Sequence, residues 1–324
     1  MSLEKKETSS SSPLVSVVIP CRGFNAYLEE SIAGVLNQKH QNLEILVLSD
    51  SPISPSFPRT KVIVAENQGP AEKRDLALEH SQGEFLAFID DDAFPAFDWL
   101  DNALASFSDA QVGAVCGPGV TPPSDSIFQK ASGWVFASWL GGGPFSFRFL
   151  PQERREVDDF PAMNFIVRRK SFEAVGGFNS SFWPGEDTKL CLDLTRKLEQ
   201  KIIYDPRVLV FHHRRPLFYQ HLEQAGRYGQ QRGHFARVLP GNSRKLSYFI
   251  PSAFTLFLFM GLSLPAYSLV LSLYFFLLCL TVAWVYSQEK NLKISLLVMP
   301  GIFLTHVWYG FRFIQGFLFR GLGR

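Results

Sequence analysis

From Leu246 to Ser287 no residue carries a charge. A bilayer-crossing helix needs only about 20 predominantly apolar residues, so this stretch is too long for one core helix of a water-soluble domain. Gly261 to Pro265 interrupts it, which predicts a hairpin of two membrane helices. Ser287-Gln288-Glu289-Lys290-Asn291 reads as a polar turn. Leu292 to Phe319 is a third apolar segment whose His306, Arg312 and glycines leave it free to span, kink or lie in the interface. Arg244-Lys245 and the upstream Arg227, Arg232 and Arg237 place the start of the apolar region on the cytoplasmic side by the positive-inside rule. Arg320 and Arg324 favour a cytoplasmic C-terminus too, which conflicts with three full crossings, so two or three helices stay open.

The other 245 residues read as a different kind of chain. Residues 1–13 are polar and Ser-rich, a disordered leader without the apolar core of a signal peptide. Val15 to Pro20, Leu43 to Leu48, Lys61 to Val64 and Phe85 to Ile89 are short apolar runs that read as buried strands. Helical spacing from Ala26 to Leu36 and a Pro70 helix start fall between them. This alternation predicts an α/β fold, a mixed, mainly parallel Rossmann-like sheet with helices on both faces. A net charge of +2 on 324 residues argues against a nucleic-acid binder. The four cysteines lack paired spacing, which suits a reducing compartment.

Ligands of open α/β sheets bind outside the carboxyl ends of the strands. There the chain places Asp50 and, after Ile89, the run Asp90-Asp91-Asp92. Adjacent carboxylates repel, and at a buried strand end they stay ionised when a cation compensates them; all-oxygen ligation suits Mg²⁺ or Mn²⁺. A solvated acidic turn is the alternative for the triplet, and a turn or cap residue before Pro52 for Asp50. Further on, Ala162 to Val167 reads as a strand and Gly176-Gly177-Phe178 as a turn. Phe182-Trp183-Pro184-Gly185-Glu186-Asp187 leads into a helix, where a Glu-Asp pair also suits the helix dipole. Val208 to Phe211 is a late strand followed by His212-His213-Arg214-Arg215. Those two arginines are either functional or a solvated or lipid-facing cluster. From Pro216 to Pro240 the pattern is an amphipathic helix at a membrane surface.

Val17-Val18-Ile19-Pro20, the strand ending at Asp50, Asn67-Gln68-Gly69 with Arg74, Phe88 to Asp92 and the Glu186-Asp187 pair together resemble the family 2 glycosyltransferases, inverting enzymes of the GT-A fold. Ser49-Asp50-Ser51-Pro52 departs from the family's frequent Asp-Asp-Gly-Ser, so only Asp50 is carried over. The resemblance implies a donor site of Pro20, Asp50, Asn67, Arg74, Asp90, Asp91 and Asp92, with Asp50 on the nucleotide base and Arg74 on the diphosphate. It implies a metal held by Asp92, Asp90 and His212, the last preferred to His213, and Asp187 as the catalytic base. Glu186, Asn164 and Trp183 become candidates for the acceptor and diphosphate side. Gln224, Arg227 and Tyr228 join them, because they resemble the Gln-x-x-Arg-Trp element of cellulose-synthase-like enzymes with Tyr for Trp; a plain basic interfacial helix is the equal alternative.

The implied organisation is a catalytic domain over 14–215, an interfacial segment over 216–245 and a membrane domain over 246–324. The layout resembles membrane-anchored bacterial transferases of exopolysaccharide assembly, such as the succinoglycan-type enzymes. It implies a multi-pass inner-membrane protein with its catalytic domain in the cytoplasm. Such an enzyme moves sugar from a UDP-linked donor to a lipid-linked or membrane-proximal glycan. Transfer to polyprenyl phosphate, or a catalytically silent nucleotide-sugar-binding scaffold, are the alternatives.

Overall fold

The computed structural model describes residues 12–54, 56–179 and 185–319. Most of the expected leader, together with Trp183, Arg320 and Arg324, lies outside them. The chain begins with β1 (Val15–Pro20), α1 (Ala26–Leu36), β2 (Leu43–Ser49), β3 (Thr60–Val64), α2 (Pro70–Asp75), α3 (Ala77–His80) and β4 (Phe85–Ile89). It continues with β5 (Ala93–Pro95), α4 (Trp99–Ser106), β6 (Val112–Cys116), β7 (Gly119–Val120) and α5 (Ile127–Ala137). After a 3-10 turn at Gly143–Arg148 come β8 (Arg155–Val157), β9 (Asn164–Arg168), α6 (Arg169–Val175), α7 (Glu186–Arg196), β10 (Lys201–Tyr204) and β11 (Val210–His212). The last helices are α8 (Tyr219–Val238), α9 (Pro240–Ser243), α10 (Leu246–Met260), α11 (Tyr267–Glu289) and α12 (Leu292–Leu318).

Among the described residues the main sheet runs β3-β2-β1-β4-β9-β6-β10-β8. The first four strands are parallel, as the run of buried apolar segments predicts. β9 enters antiparallel between β4 and β6, which makes the sheet mixed. All residues of β1 and β4 are buried, so both faces of the central strands are covered. Pro20, Asp50 and Asp90 therefore emerge on one rim, at the carboxyl ends of three adjacent strands.

A smaller sheet, β5-β11-β7, finishes that rim. Its register pairs His212 with Ala93, and the His213 amide donates to the Asp92 carbonyl at 3.0 Å. This pairing brings a residue far along the chain beside the aspartate triplet.

The C-terminal apolar region is interrupted between α10 and α11, at the expected break. α10 and α11 meet through aromatic contacts such as Phe254–Tyr274, while each packs along α12. α10 is only 15 residues long. At 1.5 Å per residue it reaches about 22 Å, short of a hydrocarbon core of about 30 Å. α11 and α12 are long and apolar enough to cross a membrane by length and composition. The expected interfacial segment is α8, which is no free surface helix: His221, Ala225, Gly226, Gly229, Gly233, Phe235 and Ala236 are buried.

Candidate active site

Arg74 is the hub of the rim. Pro70 and the Gly69–Glu72 capping box start α2, where the Glu72 carboxylate accepts from the Gly69 amide at 2.6 Å. The helix turns the buried Arg74 guanidinium inward, where Nη2 donates to Asp90 at 2.8 Å and Nη1 to Glu186 at 2.9 Å. Burial of the guanidinium is outweighed by Asp90, Glu186 and Asp187, which raise its pKa further. One cation thus ties the β4 carboxylates to the start of α7, residues 112 apart in sequence for the Glu186 contact.

The glycine turn before α7 makes that meeting possible. Gly176 and Gly177 both have positive φ, +78° and +76°. Asp75, on the same helix as Arg74, accepts from the Phe178 amide at 2.7 Å and the Asn179 amide at 3.0 Å. The Phe178 ring lies under Arg74, 5.6 Å from centroid to guanidinium. Gly185 caps α7 at φ +117°, and a Cβ there would strike the Phe235 ring of α8 at 2.1 Å.

Glu186 and Asp187 then occupy the first turn of α7, and their environments diverge. Glu186 is locked on Arg74 and on the Gly185 amide, at 2.9 and 3.0 Å. Asp187 accepts from the Thr188 amide at 2.8 Å. Burial, then the Glu186 and Asp159 carboxylates, push the Asp187 carboxyl up to about 7. The pair thus offers one carboxyl tied down by Arg74 and one group that exchanges a proton near neutrality.

One ligand atom each from Asp90, Asp92 and His212 lies within 4.8 Å of the others. Ligands on one Mg²⁺ or Mn²⁺ at about 2.1 Å are at most roughly 4.2 Å apart, so small side-chain adjustments close the set. His212 Nε2 is 3.0 Å from Asp92 Oδ1. Burial opposes the Asp92 charge, but His212, Arg215 and Arg214 hold its carboxyl below the usual range. Asp91, by contrast, is pushed up to about 6 by burial and by Asp92 and Asp90. Only the outer two aspartates join the cluster, and two carboxylates with an imidazole suit a divalent cation of the Mn²⁺ type. His213 faces away, onto Asp125 and Glu30, which supports the choice of His212.

Other candidates fare unequally. Asp50 is bound by Lys73 at 2.6 Å, and the same ammonium donates to the Cys21 carbonyl next to Pro20. Tyr228 on α8 lies within electrostatic reach of Asp90, Asp187 and Asp92, and Gln224 donates to its hydroxyl at 3.1 Å. Arg227 instead pairs with Glu223 on the exposed side of α8. Asn67 takes a left-handed φ of +60° in a turn that opens on a hollow of about 520 Å³ walled by Glu72, Asp75 and Glu79. That acidic wall gives it no basic partner for a nucleotide. Asn164 is a correction: it is fully buried, accepts from Trp99 Nε1 and donates to the Gly117 and Val208 carbonyls, each at 2.8 Å. Its amide is a core crosslink with nothing left for an acceptor.

The sequence left Arg214 and Arg215 open and did not mark Asp159. Arg214 is neither solvated nor lipid-facing; its buried guanidinium contacts the Gly119 carbonyl and His212 Nδ1. Arg215 does face the site, 3.5 Å from Asp92. Beneath Asp187, Asp159 is buried between Arg148 at 3.0 Å and Arg232 at 2.6 Å, with the Tyr248 hydroxyl at 3.4 Å. Burial works against that carboxylate, yet Arg232 and Arg148 keep it ionised.

Residues 16–176 match the family model described as glycosyl transferase family 2. An uncharacterized glycosyltransferase of Haemophilus influenzae is 33% identical over 103 residues, 28% of this chain and 41% of that protein. The pre-mycofactocin glycosyltransferase of Mycobacterium tuberculosis is 27% identical over 210 residues, 62% of this chain and 43% of that protein. TuaG of Bacillus subtilis, a putative teichuronic acid biosynthesis glycosyltransferase, is 33% identical over 103 residues, 28% and 41%. The chain spans less than half the length of these curated relatives. Among solved structures, the mannosyltransferase PcManGT from Pyrobaculum calidifontis, in complex with GDP-Man and Mn²⁺, aligns with a TM-score of 0.56 at 20% identity, over 95% of this chain and 88% of that one. That likeness shows a shared GT-A-like fold, and residues 16–176, just under half of the chain, are similar to the glycosyl transferase family 2 domain.

Proposed function

We propose that the protein is a metal-dependent, inverting glycosyltransferase that works at a membrane surface. It moves a sugar from a nucleotide-sugar, UDP-linked in our reading, onto a lipid-linked or membrane-proximal glycan acceptor. The observation that carries this is the Arg74 bridge, which sets the Asp90/Asp92/His212 group and the Glu186–Asp187 pair on opposite sides of one guanidinium.

Asp50 with Lys73 receives the nucleotide base end of the donor, beside Pro20. A divalent cation held by Asp90, Asp92 and His212 would offset the charge that grows on the departing diphosphate, so no protein acid is needed there. Arg215, near Asp92, adds positive charge on the same side. Asp187 takes the proton from the acceptor hydroxyl as its oxygen attacks the anomeric carbon, and a pKa of about 7 matches that role. Arg74 holds Glu186 in place at 2.9 Å, so that Asp187 is the carboxyl left to exchange its proton.

The test is nucleotide release from UDP- and GDP-sugars by the full chain in vesicles, with Mn²⁺ or with excess EDTA. Turnover should require the metal, and Asp92→Ala should abolish it. Full activity in EDTA, or in Asp92→Ala, removes the metal role; no turnover with any donor and acceptor favours a silent scaffold.

A further inference from the structure

We infer that α10, α11 and α12 lie flat within one leaflet of a lipid bilayer and do not cross it. The inference rests on the membrane-associated reading above, but not on catalysis.

The geometry of α12 carries it. Its first half is pressed on the catalytic domain: Ile294, Val298 and Ile302 share a buried cluster with Ala131 and Val135 of α5 and with Leu217. At its entrance Glu289 accepts from Lys130 at 3.0 Å and from Trp134 Nε1 at 2.9 Å. Its second half runs alongside α8 in the same direction. His221 meets Thr305 at 2.8 Å, and Arg237 donates to the Phe317 carbonyl at 3.1 Å. Between those points the helices touch through glycine. A Cβ on Gly226 would lie 2.3 Å from Trp308, on Gly229 2.6 Å from the Tyr309 carbonyl, and on Gly233 2.1 Å from the Phe313 carbonyl.

α12 is therefore held on α5 through its first half and on α8 through its second. α8 has 20 residues and is about 30 Å long, the thickness of the hydrocarbon core. Were α12 to stand along the membrane normal, α8 would be drawn through that core with its exposed Glu223 and Arg227. Charged side chains there cost about 2.5–3.5 kcal/mol each even on insertion scales. Laid in the plane, α12 keeps α8 on its wet side, with α11 alongside it and reaching α5 through Trp284 and Glu289.

The occupant of the outer face is lipid. α11 is exposed around most of its circumference, with Leu269, Leu273, Phe275, Phe276 and Leu280 all large, apolar and exposed. A protein partner covers one stripe of a helix, whereas acyl chains cover every side not already packed. Exposed Arg244 at one end and Lys290 and Lys293 at the other give basic flanks for anionic headgroups. A flat seat also removes the conflict over orientation, because no end of the chain has to change sides.

The experiment uses the full chain with Cys279→Ser and Ser263→Cys, reconstituted on sealed phosphatidylethanolamine/phosphatidylglycerol vesicles with the catalytic domain outside. Ser263 sits in the exposed turn between α10 and α11, the point a crossing hairpin would carry to the far side. A membrane-impermeant maleimide trapped inside should leave it unlabelled until detergent is added. A bimane on the same cysteine should be quenched by lipid quenchers of the outer leaflet, within about 15 Å of the surface, half the core thickness. Labelling from inside, or a depth beyond the midplane, overturns the flat seat while leaving the membrane enzyme intact. Failure to float with the vesicles overturns both.

Discussion

Replacing Asp187 with Asn keeps the shape of the side chain and removes its ability to take a proton. The donor should bind as before, because the candidate donor contacts, Asp50, Lys73, Arg215 and the Asp90/Asp92/His212 group, are all other residues. Turnover should fall by about 10²–10⁴-fold, the usual contribution of a positioned base. The wild-type pH profile carries the same argument with a sign. Burial, Glu186 and Asp159 raise the carboxyl to about 7, so the competent, ionised form grows as pH rises. Roughly a tenth of it is ionised one unit below that pKa and nine-tenths one unit above, so kcat should climb about tenfold from pH 6 to pH 8 where chemistry limits the rate. Glu186→Gln removes a like charge from Asp187, so the acid limb should move to lower pH even where the maximal rate falls. Nucleotide release and donor affinity across pH 5.5–8.5 for the three proteins test this. A flat wild-type profile with chemistry rate-limiting, or near-normal turnover in Asp187→Asn beside a dead Glu186→Gln, would hand the role to another residue.

Asn164→Ala should act on stability, since it strips partners from Trp99 and from the Gly117 and Val208 carbonyls; each buried group left unpaired costs about 1–3 kcal/mol, read as a lower denaturation midpoint. A loss confined to the acceptor KM with an unchanged midpoint would restore a site role. Gly229→Leu should lever α12 off α8 at about 1–3 kcal/mol, the range for overpacking, and release α12 to proteolysis; an unchanged midpoint and digestion pattern would contradict the seam. A chain cut near Pro240 bares the same seam, so it should aggregate without detergent; a stable, monodisperse fragment would refute that.

The strands and their carboxylates were legible because a fully buried parallel strand is written as an uninterrupted apolar run, and the sheet's topology puts whatever follows it on one rim. That places Asp50, Asp90 and Asp92 on the rim, while the choice of His212 came from the family resemblance. What was hidden depends on pairings between distant parts of the chain. Asp159 meets Arg148 and Arg232 across 11 and 73 positions, and nothing local marks that carboxylate as the anchor of three elements. Nothing in the sequence singles out Lys73, and Arg214 stays open until the fold buries them against Asp50 and His212. Asn164 shows the converse error, a polar residue in a strand read as a ligand when its amide holds the core together. The break between α10 and α11 was legible in Gly261 to Pro265, whereas the seat of α12 on α8 was hidden. The glycines at 226, 229 and 233 were the available signal that α8 accepts another helix at close range.

That spacing gives α8 two tasks on two faces. Toward the rim it presents Tyr228, supported by Gln224, over Asp90, Asp92 and Asp187. Toward α12 it presents the glycine seam, and Arg232 ties it to Asp159 beneath Asp187. Tyr248 of α10 reaches the same Asp159, and Lys245 at the start of α10 pairs with Asp158. The apolar helices and the proposed base are thus joined through one buried carboxylate and one helix, with no flexible linker between them. A rigid joint of this kind suits an enzyme whose acceptor is held at a membrane. Under the function proposed above, the height of the bilayer surface relative to Asp187 would be set by packing, and an acceptor hydroxyl presented at that height would need no domain motion to reach it.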